Sequence, residues 1–239
     1  MRAGFRAGRP KEVAATLLQV DASRQLANRG GELGYVLQVE TLFEGDLFVS
    51  YGQIFLEELA AWDAGPELEM HFAGQTNGLC GVAAPQRICL LTGLHTGWVR
   101  LTVELHDVPP AVAEQWEDVV EASFTPTASP LQLIGLMANE SYALPLPAGA
   151  SLRARYCAIG MDAARDGSRS EGDPVLDRYL LQLWPAPPTP DTVLRRHSRT
   201  AAYWHDFARN LPNQAEQAAR QTEVRLSCQR GLGAPAIES

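Results

Sequence analysis

The sequence lacks several features that identify membrane, secreted and lysine-rich proteins. Lys11 is the single lysine, and the other basic residues are all arginines. No apolar run approaches the length of about 18 residues that a transmembrane helix requires. The N-terminal arginines are not followed by an apolar stretch of about 7–15 residues, as they would be in a secretion signal. We therefore expect a cytoplasmic protein.

Short motifs on which large enzyme classes depend are also missing. The sequence contains no Gly-x-Gly-x-x-Gly, no Walker-type loop, no His-Glu-x-x-His and no Gly-x-Ser-x-Gly. Its cysteines form no Cys-x-x-Cys pair, so reduced thiols are predicted rather than zinc ligands. These cysteines are Cys80, Cys89, Cys157 and Cys228. We predict no catalytic residues, no bound metal and no cofactor.

Titratable side chains are present but scattered. The histidines match no metal-binding spacing and are predicted to lie on the surface or at caps; they are His71, His95, His106, His197 and His205. A polar loop gathers acids in a spacing unlike that of an EF-hand, and Arg165 and Arg169 interrupt the negative charge. Its acids are Asp162, Asp166, Glu171, Asp173 and Asp177. A solvated loop is the favoured interpretation, and a cation site is the alternative.

Acidic residues outnumber basic ones, 28 against 20, which gives a formal net charge of −8. A negative surface repels phosphate backbones and anionic membranes, so neither direct nucleic-acid binding nor membrane binding is predicted. It favours basic protein partners, including nucleases, whose surfaces are built to attract DNA. The alternative interpretation is that this charge only keeps the protein soluble.

Strand patterns dominate the middle of the chain. Alternation is clearest at residues 98–106 and 152–158, where one face is apolar and the other polar. The apolar side chains predicted to face inward are Leu101, Val103, Leu105, Leu152, Ala154 and Tyr156. Several short strands separated by turns, without a βαβ rhythm, predict a mainly β protein built as an antiparallel β-sandwich.

The ends of the chain differ from this middle region. Residues 1–33 are predicted to form an N-terminal arm, helical or disordered, and residues 34–186 the sandwich domain. Residues 187–239 are predicted to form a proline-rich linker and a helical tail. A helix is predicted from Val193 to Asn210, packed back on the sheets with Trp204 and Phe207 buried, because an isolated helix of this length is marginal in water.

The order of the strand motifs resembles the small all-β family of competence-system DNA-entry nuclease inhibitors, the competence protein J family. A Ser-Tyr-x-Gln strand opens that domain, as at residues 50–53 here, and a Leu-Pro-x-Gly turn matches residues 146–149. The resemblance spans about residues 46–186. Its motifs lie at residues 47–56, 97–105, 116–124, 131–149, 152–157 and 179–184. It implies a bacterial, non-enzymatic protein that binds and restrains a nuclease or a toxin-like enzyme.

An inhibitor of this kind needs an exposed surface that combines acids with aromatic anchors. Acids that flank aromatic strand ends, together with two neighbouring tryptophans, are the candidate contact residues. They are Glu57, Glu58, Trp62, Glu114, Trp116, Glu117 and Asp118. Two other functions stay open from the residues alone. One is a sandwich that binds a small molecule or carbohydrate, for which tryptophans are candidates, and the other is an enzyme with a non-sequential site.

Overall fold

The structure is a computed structural model that describes residues 38–58, 67–165 and 167–212. The predicted arm at residues 1–33, the candidate Trp62 and the end of the tail beyond Pro212 lie outside the described residues. None of the helices in the described residues combines the length and the apolar character that crossing a bilayer requires. The predicted domain boundaries stay predictions.

The described part of the chain contains eleven strands and three helices. The strands are β1 Val39–Val49, β2 Gln53–Glu57, β3 Cys80–Gly81, β4 Arg87–Leu91, β5 Gly97–His106, β6 Asp118–Phe124, β7 Leu131–Gly135, β8 Ser141–Leu144, β9 Leu152–Ile159, β10 Arg178–Pro185 and β11 Thr192–Arg195. The helices are α1 Leu68–Phe72, α2 Met161–Ala164 and α3 Arg199–Asn210. The protein is therefore mainly β, with a helix at the C-terminal end of the described chain.

The strands form two sheets. The six-stranded sheet has the order β1-β5-β10-β9-β6-β11, and the five-stranded sheet has the order β3-β4-β2-β7-β8. Strand β10 runs parallel to β5, whereas the other pairs of described strands are antiparallel. The prediction of an antiparallel fold therefore needs one correction. A parallel neighbour requires a long connection, and four strands separate β5 from β10 along the chain.

Alternation along β5 and β9 places the predicted core residues as expected. Five of the six predicted inward side chains are fully buried, and Leu105 is partly buried against the same core. The polar residues between them point to the other face of the six-stranded sheet, as Arg100 does. One buried apolar face and one polar face are typical of a sheet that covers a core on one side.

Strands β2 and β4 at the centre of the five-stranded sheet show no alternation. Each residue of β4 is buried, and four of the five residues of β2 are buried. Side chains of both sheets belong to one hydrophobic core, to which the six-stranded sheet contributes Tyr156 and Tyr179 and the five-stranded sheet Leu56 and Leu90. The rings of Tyr156 and Tyr179 stack there with centroids 5.6 Å apart.

The C-terminal helix is shorter than the sequence pattern indicated, because residues 192–195 pair with β6 as strand β11. Helix α3 begins at Arg199, where the N-cap Ser198 accepts a hydrogen bond from the backbone N–H of Ala201. Trp204 and Phe207 pack against the core as predicted, although each is half-buried rather than fully buried.

Two side chains of the C-terminal segment fasten it to the loop before β3. Oδ2 of Asp191 accepts hydrogen bonds from the backbone N–H of Thr76 at 2.8 Å and of Asn77 at 2.7 Å. The backbone N–H of Gly78 donates to Nδ1 of His205 at 2.9 Å. A β-carbon at Gly78 would lie 1.8 Å from the carbonyl oxygen of Trp204, so only glycine permits this approach. Helix α3 is thus held by backbone contacts as well as by its apolar face.

Candidate functional site

Glu57 and Glu58 at the end of β2 are buried inside the fold. Glu57 forms an ion pair with Arg87 at 2.7 Å, and desolvation raises the pKa of its carboxyl group although Arg87 acts in the opposite direction. Oε1 of Glu58 accepts hydrogen bonds from the backbone N–H groups of Thr127 and Ala128, each at 2.9 Å, and from the Thr127 hydroxyl. Neither carboxylate offers surface to a partner in this conformation.

The second predicted group lies around the start of β6, in the other sheet. Asp118 is fully buried, and its Oδ1 accepts hydrogen bonds from the backbone N–H of His197 at 2.7 Å and of Ser198 at 3.2 Å. Glu117 is half-buried and accepts a hydrogen bond from the backbone N–H of Gly160 at 2.9 Å. Trp116 is also half-buried, and Glu114 is exposed. The predicted residues are therefore not brought together, and the accessible ones in the described chain are Glu114, Trp116 and Glu117.

The acidic loop between β9 and β10 uses two of its carboxylates to hold the structure. Asp177 is fully buried between the guanidinium of Arg169, at 3.1 Å, and the hydroxyl of Tyr179, at 2.7 Å. Desolvation acts to raise the pKa of Asp162, but hydrogen bonds from Arg199 and Thr200 at the start of α3 outweigh it and lower that pKa to about 2. The described residues contain no group of three or more His, Cys, Asp or Glu placed to hold a metal ion.

An open cleft lies where β1 and β5 meet the turn between β7 and β8. Its volume is about 340 Å³. Its walls include the side chains of Phe48, Trp98, Met137, Asn139, Glu140 and Tyr142. Both sheets contribute, because Phe48 and Trp98 belong to the six-stranded sheet and the others to the end of the five-stranded sheet. We call this site the aromatic cleft.

Aromatic rings form two sides of the aromatic cleft. Phe48 and Trp98 are direct cross-strand partners, and their rings meet edge to face with centroids 5.6 Å apart. The ring of Tyr142 packs on Phe43 at 4.8 Å, and its hydroxyl donates to Oε2 of Glu140 at 3.1 Å. Desolvation and the neighbouring Glu140 raise the pKa of Tyr142, so it remains a hydrogen-bond donor. These contacts hold rings and a carboxylate in a defined arrangement.

Charged side chains of both signs lie near the aromatic cleft. Glu140 is the one charged residue among those that line it. Glu44 and Asp46 precede Phe48 at two-residue intervals, so they share its face of β1, and both are exposed. Arg100, opposite Asp46 on β5, forms an ion pair with it at 3.0 Å, and the exposed Arg178 of β10 lies opposite Arg100. The charge of the cleft wall itself therefore comes from Glu140.

Met137 projects an apolar side chain at the mouth of the aromatic cleft. Its side chain is 74% exposed, and its backbone has a φ of +59°, in the left-handed region that side chains other than glycine rarely adopt. Met137 therefore adds exposed apolar surface beside the rings that line the cleft.

A smaller cavity of about 70 Å³ lies between the turn after β1 and helix α3. Tyr51 packs against His95 there with the two rings tilted and their centroids 5.0 Å apart, and the guanidinium of Arg165 lies 5.9 Å from the ring centre of Tyr203. Tyr203 is 54% exposed. The basic side chains that line this cavity are those of Arg165 and His95, and no acidic residue lines it.

From the sequence, the tryptophans are candidates for ligand binding, but Trp98 is not assigned to a face of its strand. The alternation of β5 contains the signal for that assignment, because Trp98 has the same parity as Arg100 and Thr102 on the polar face. The residues of the β7–β8 turn carry no comparable signal. Their meeting with β1 depends on the packing of the two sheets.

Comparisons with known proteins give a distant structural likeness. No protein-family model matches the chain, and no curated protein matches it. The structure is similar to that of ComJ from Bacillus subtilis, described as an inhibitor of the DNA-degrading activity of NucA, with 14% identity and a TM-score of 0.41. This similarity covers 62% of the present chain and 99% of ComJ. The structure named crocagin biosynthetic gene J is similar at 14% identity and a TM-score of 0.38, covering 64% and 99% of the two chains. The resemblance inferred from the strand motifs is thereby confirmed as a distant structural likeness.

Proposed function

We propose that this chain is a non-enzymatic, cytoplasmic protein-binding module that inhibits a basic nuclease or a toxin-like enzyme. The class of partner comes from the family that the strand motifs resemble. The observation that carries the proposal is the aromatic cleft, an open site where aromatic rings and the exposed carboxylate of Glu140 lie together. Inhibitor surfaces require this combination, because desolvated rings supply most of the affinity and charge selects the partner.

The charge of the chain supports a basic partner. A net charge of −8 attracts a cationic protein over a range of about 10 Å at moderate salt, and Glu140 places one exposed carboxylate on the wall of the aromatic cleft. Association is then fast and weakens as salt rises. A second accessible surface is formed by Glu114, Trp116 and Glu117. It is a candidate contact surface for the same partner.

We also propose that the two sheets are the layers of a β-sandwich. The support is the single hydrophobic core to which both sheets contribute buried side chains. Gly135 of β7 fits closely against β1, since a β-carbon there would lie 1.7 Å from the carbonyl oxygen of Phe48. This packing would fix the turn after β7 beside β1 and so form the aromatic cleft.

A small-molecule-binding module is the second candidate function. The volume of about 340 Å³ for the aromatic cleft falls at the lower end of the range for small-ligand sites. This alternative predicts a small ligand that copurifies with the chain and binds it in the absence of any protein partner.

The test of the inhibitor proposal starts with the full chain immobilised and cytosol of the source organism passed over it at low and at high salt. Each retained protein is identified, purified and assayed for DNA degradation with and without the chain. We expect a basic nuclease whose activity falls in proportion to the added chain. For a variant carrying Glu44→Lys and Glu140→Lys we expect association about tenfold slower, because the reversed charges face the partner.

A control with the same net charge separates this surface from net charge alone. Glu69→Lys together with Glu171→Lys also reverses two exposed acids, neither of which lines the cleft, and Glu114→Lys alters the second accessible surface. Association should slow less in Glu69→Lys with Glu171→Lys than in Glu44→Lys with Glu140→Lys, and inhibition should be retained. If the retained proteins include no enzyme that the chain inhibits, the proposed function is wrong, and release of a small molecule from the purified chain would favour the second candidate.

A further inference from the structure

We propose that the aromatic cleft is a cage for a single arginine side chain of the partner protein. The proposal rests on the proposed function only for the source of that arginine. The cage itself is a property of this chain and is testable without any partner.

The rings provide surfaces that attract a planar cation. Phe48 and Trp98 line the same cleft, and their rings stand at an interplanar angle of 74° to each other. Trp98 is half-buried and Tyr142 is half-buried, so both rings are held by the fold and partly shielded from water. A guanidinium over an indole face gains an attraction that grows as water is removed.

Glu140 supplies the charge that a cationic side chain needs. Its Oε2 is engaged by the Tyr142 hydroxyl at 3.1 Å, which orients the carboxylate. Its Oε1 has no hydrogen-bond partner among the described residues, and the side chain is exposed. A guanidinium can donate to this oxygen while its plane rests on a ring, whereas a lysine ammonium lacks the planar fork.

The chain stacks arginine on aromatic rings elsewhere in its own fold. Arg87 lies 5.5 Å from the ring centre of Phe55, Arg155 lies 4.8 Å from that of Trp184, and Arg165 lies 5.9 Å from that of Tyr203. No described arginine stacks on the rings of the aromatic cleft. Arg100, the cation on the same face of β5, is held by Asp46 instead. The cleft is thus a ring-and-carboxylate site that an arginine from outside completes.

The test uses two neutral-capped probes with the full chain labelled with ¹⁵N. N-acetyl-arginine N′-methylamide carries the guanidinium, and N-acetyl-citrulline N′-methylamide is the uncharged isostere. The readout is the indole N–H resonance of Trp98, assigned by its loss in Trp98→Leu. We expect the arginine probe to shift this resonance saturably and the citrulline probe to bind about fivefold more weakly or less, as removal of the cation–π and ionic contacts implies.

Variants identify the groups that act. Glu140→Gln removes the charge of an exposed side chain, so folding is retained, and binding of the arginine probe should weaken but stay above that of the citrulline probe, because the cation–π contact remains. Trp98→Leu should remove binding, which in that variant is followed through neighbouring backbone resonances. Glu171→Gln and Tyr203→Ser alter an exposed acid and an exposed ring outside the cleft and should leave binding unchanged.

Three results would overturn the cage. They are equal binding of the arginine and citrulline probes, equal binding of arginine and N-acetyl-lysine N′-methylamide, and no saturable shift in a protein with a dispersed spectrum. The cage and the proposed inhibitor function are refuted by different results. A nuclease inhibited equally by the original chain and by Glu140→Gln would refute the cage alone, whereas arginine binding without an inhibited enzyme would refute the inhibitor alone.

Discussion

Carboxylates in this chain divide into two groups according to what surrounds them. Buried ones accept hydrogen bonds from the backbone at the entry to another element, as Asp118 does before α3 and Glu58 does beside Thr127. Among the described exposed ones, Glu44 on β1 and Glu140 on the β7–β8 turn accept no hydrogen bond from a backbone N–H, whereas Asp107 accepts one from Gln38. A buried carboxylate is tolerated only when several donors replace water, so the first group stabilises the fold and the second is available to a partner.

The candidates chosen from the sequence illustrate why this division is hard to foresee. Glu57 and Glu58 have charged side chains beside an aromatic strand, and such residues are usually exposed. Their burial depends on Arg87 and on the backbone of residues 127–128, which only the fold brings near. Trp98 was foreseeable as outward-facing from its parity, but its partners Glu140 and Tyr142 were not.

His205 makes stability depend on pH. Burial, as the largest cause, lowers its pKa from 6.5 to about 4, so the folded state resists a proton that the unfolded chain accepts. The stabilisation is therefore complete above about pH 6.5 and is lost as pH falls toward 4, with a total of roughly 3 kcal/mol as an upper bound. Chemical unfolding measured between these pH values should show this loss. Asp118 opposes the shift and Arg209 adds to it, but neither exceeds the effect of burial.

The variant His205→Asn isolates this contribution. An asparagine oxygen can accept the hydrogen bond from Gly78 but takes up no proton. The change in the free energy of unfolding between pH 6.5 and pH 4 should therefore be smaller by the amount that His205 contributes. His95→Asn is the control, because His95 is exposed. An undiminished pH dependence in His205→Asn would mean that other groups cause it.

Elements that border the core on one face were predictable, and those that do not were less so. The alternation of β5 follows from one buried apolar face and one largely accessible polar face, and it gave both the strand and its orientation. On β9 the alternating Arg153 and Arg155 are buried as well, so the pattern there reflects polarity rather than exposure. Strand β4 is buried throughout and has no such pattern, so its neighbours could not be read from residues 87–91. The helix predicted from Val193 begins at Arg199 because pairing with β6 overrides the helical pattern of the first residues.

Gly78 tests how strongly helix α3 depends on its backbone contacts. In Gly78→Ala the added carbon would overlap the carbonyl of Trp204, and the hydrogen bond to His205 would be lost as the helix moves away. We expect a loss of about 1–3 kcal/mol in the free energy of unfolding, as for overpacked interiors. Equilibrium unfolding by urea measures it.

Gly45→Ala serves as the matched control for this substitution. Its added carbon meets Phe43 at an ordinary 3.5 Å. Its stability should equal or slightly exceed that of the original chain, because alanine restricts the unfolded state more than glycine does. Equal stability of both alanine variants would show that α3 shifts at no cost and that its docking contributes little.

The whole molecule shows where sequence reasoning stops. The parallel pairing of β10 with β5 joins segments that are far apart in the chain, and the aromatic cleft joins one sheet to the end of the other. Neither contact produces a local sequence pattern, because periodicity indicates only which face of a strand is buried. The fold class and the tail on the core could therefore be anticipated, whereas the site could not.

A single core shared by two sheets predicts that both sheets unfold together. Cys89 lies in β4 of the five-stranded sheet and Cys157 in β9 of the six-stranded sheet, and both thiols are free and buried. Burial raises the pKa of both thiols, that of Cys157 to about 12, so in the folded protein they react slowly with an alkylating reagent. Brief alkylation across a urea series, with each cysteine peptide quantified by mass spectrometry, should give the same midpoint for both, coincident with the loss of circular dichroism. A lower midpoint for either cysteine would show that one sheet opens while the other stays folded, and the proposed sandwich with its common core would then be wrong.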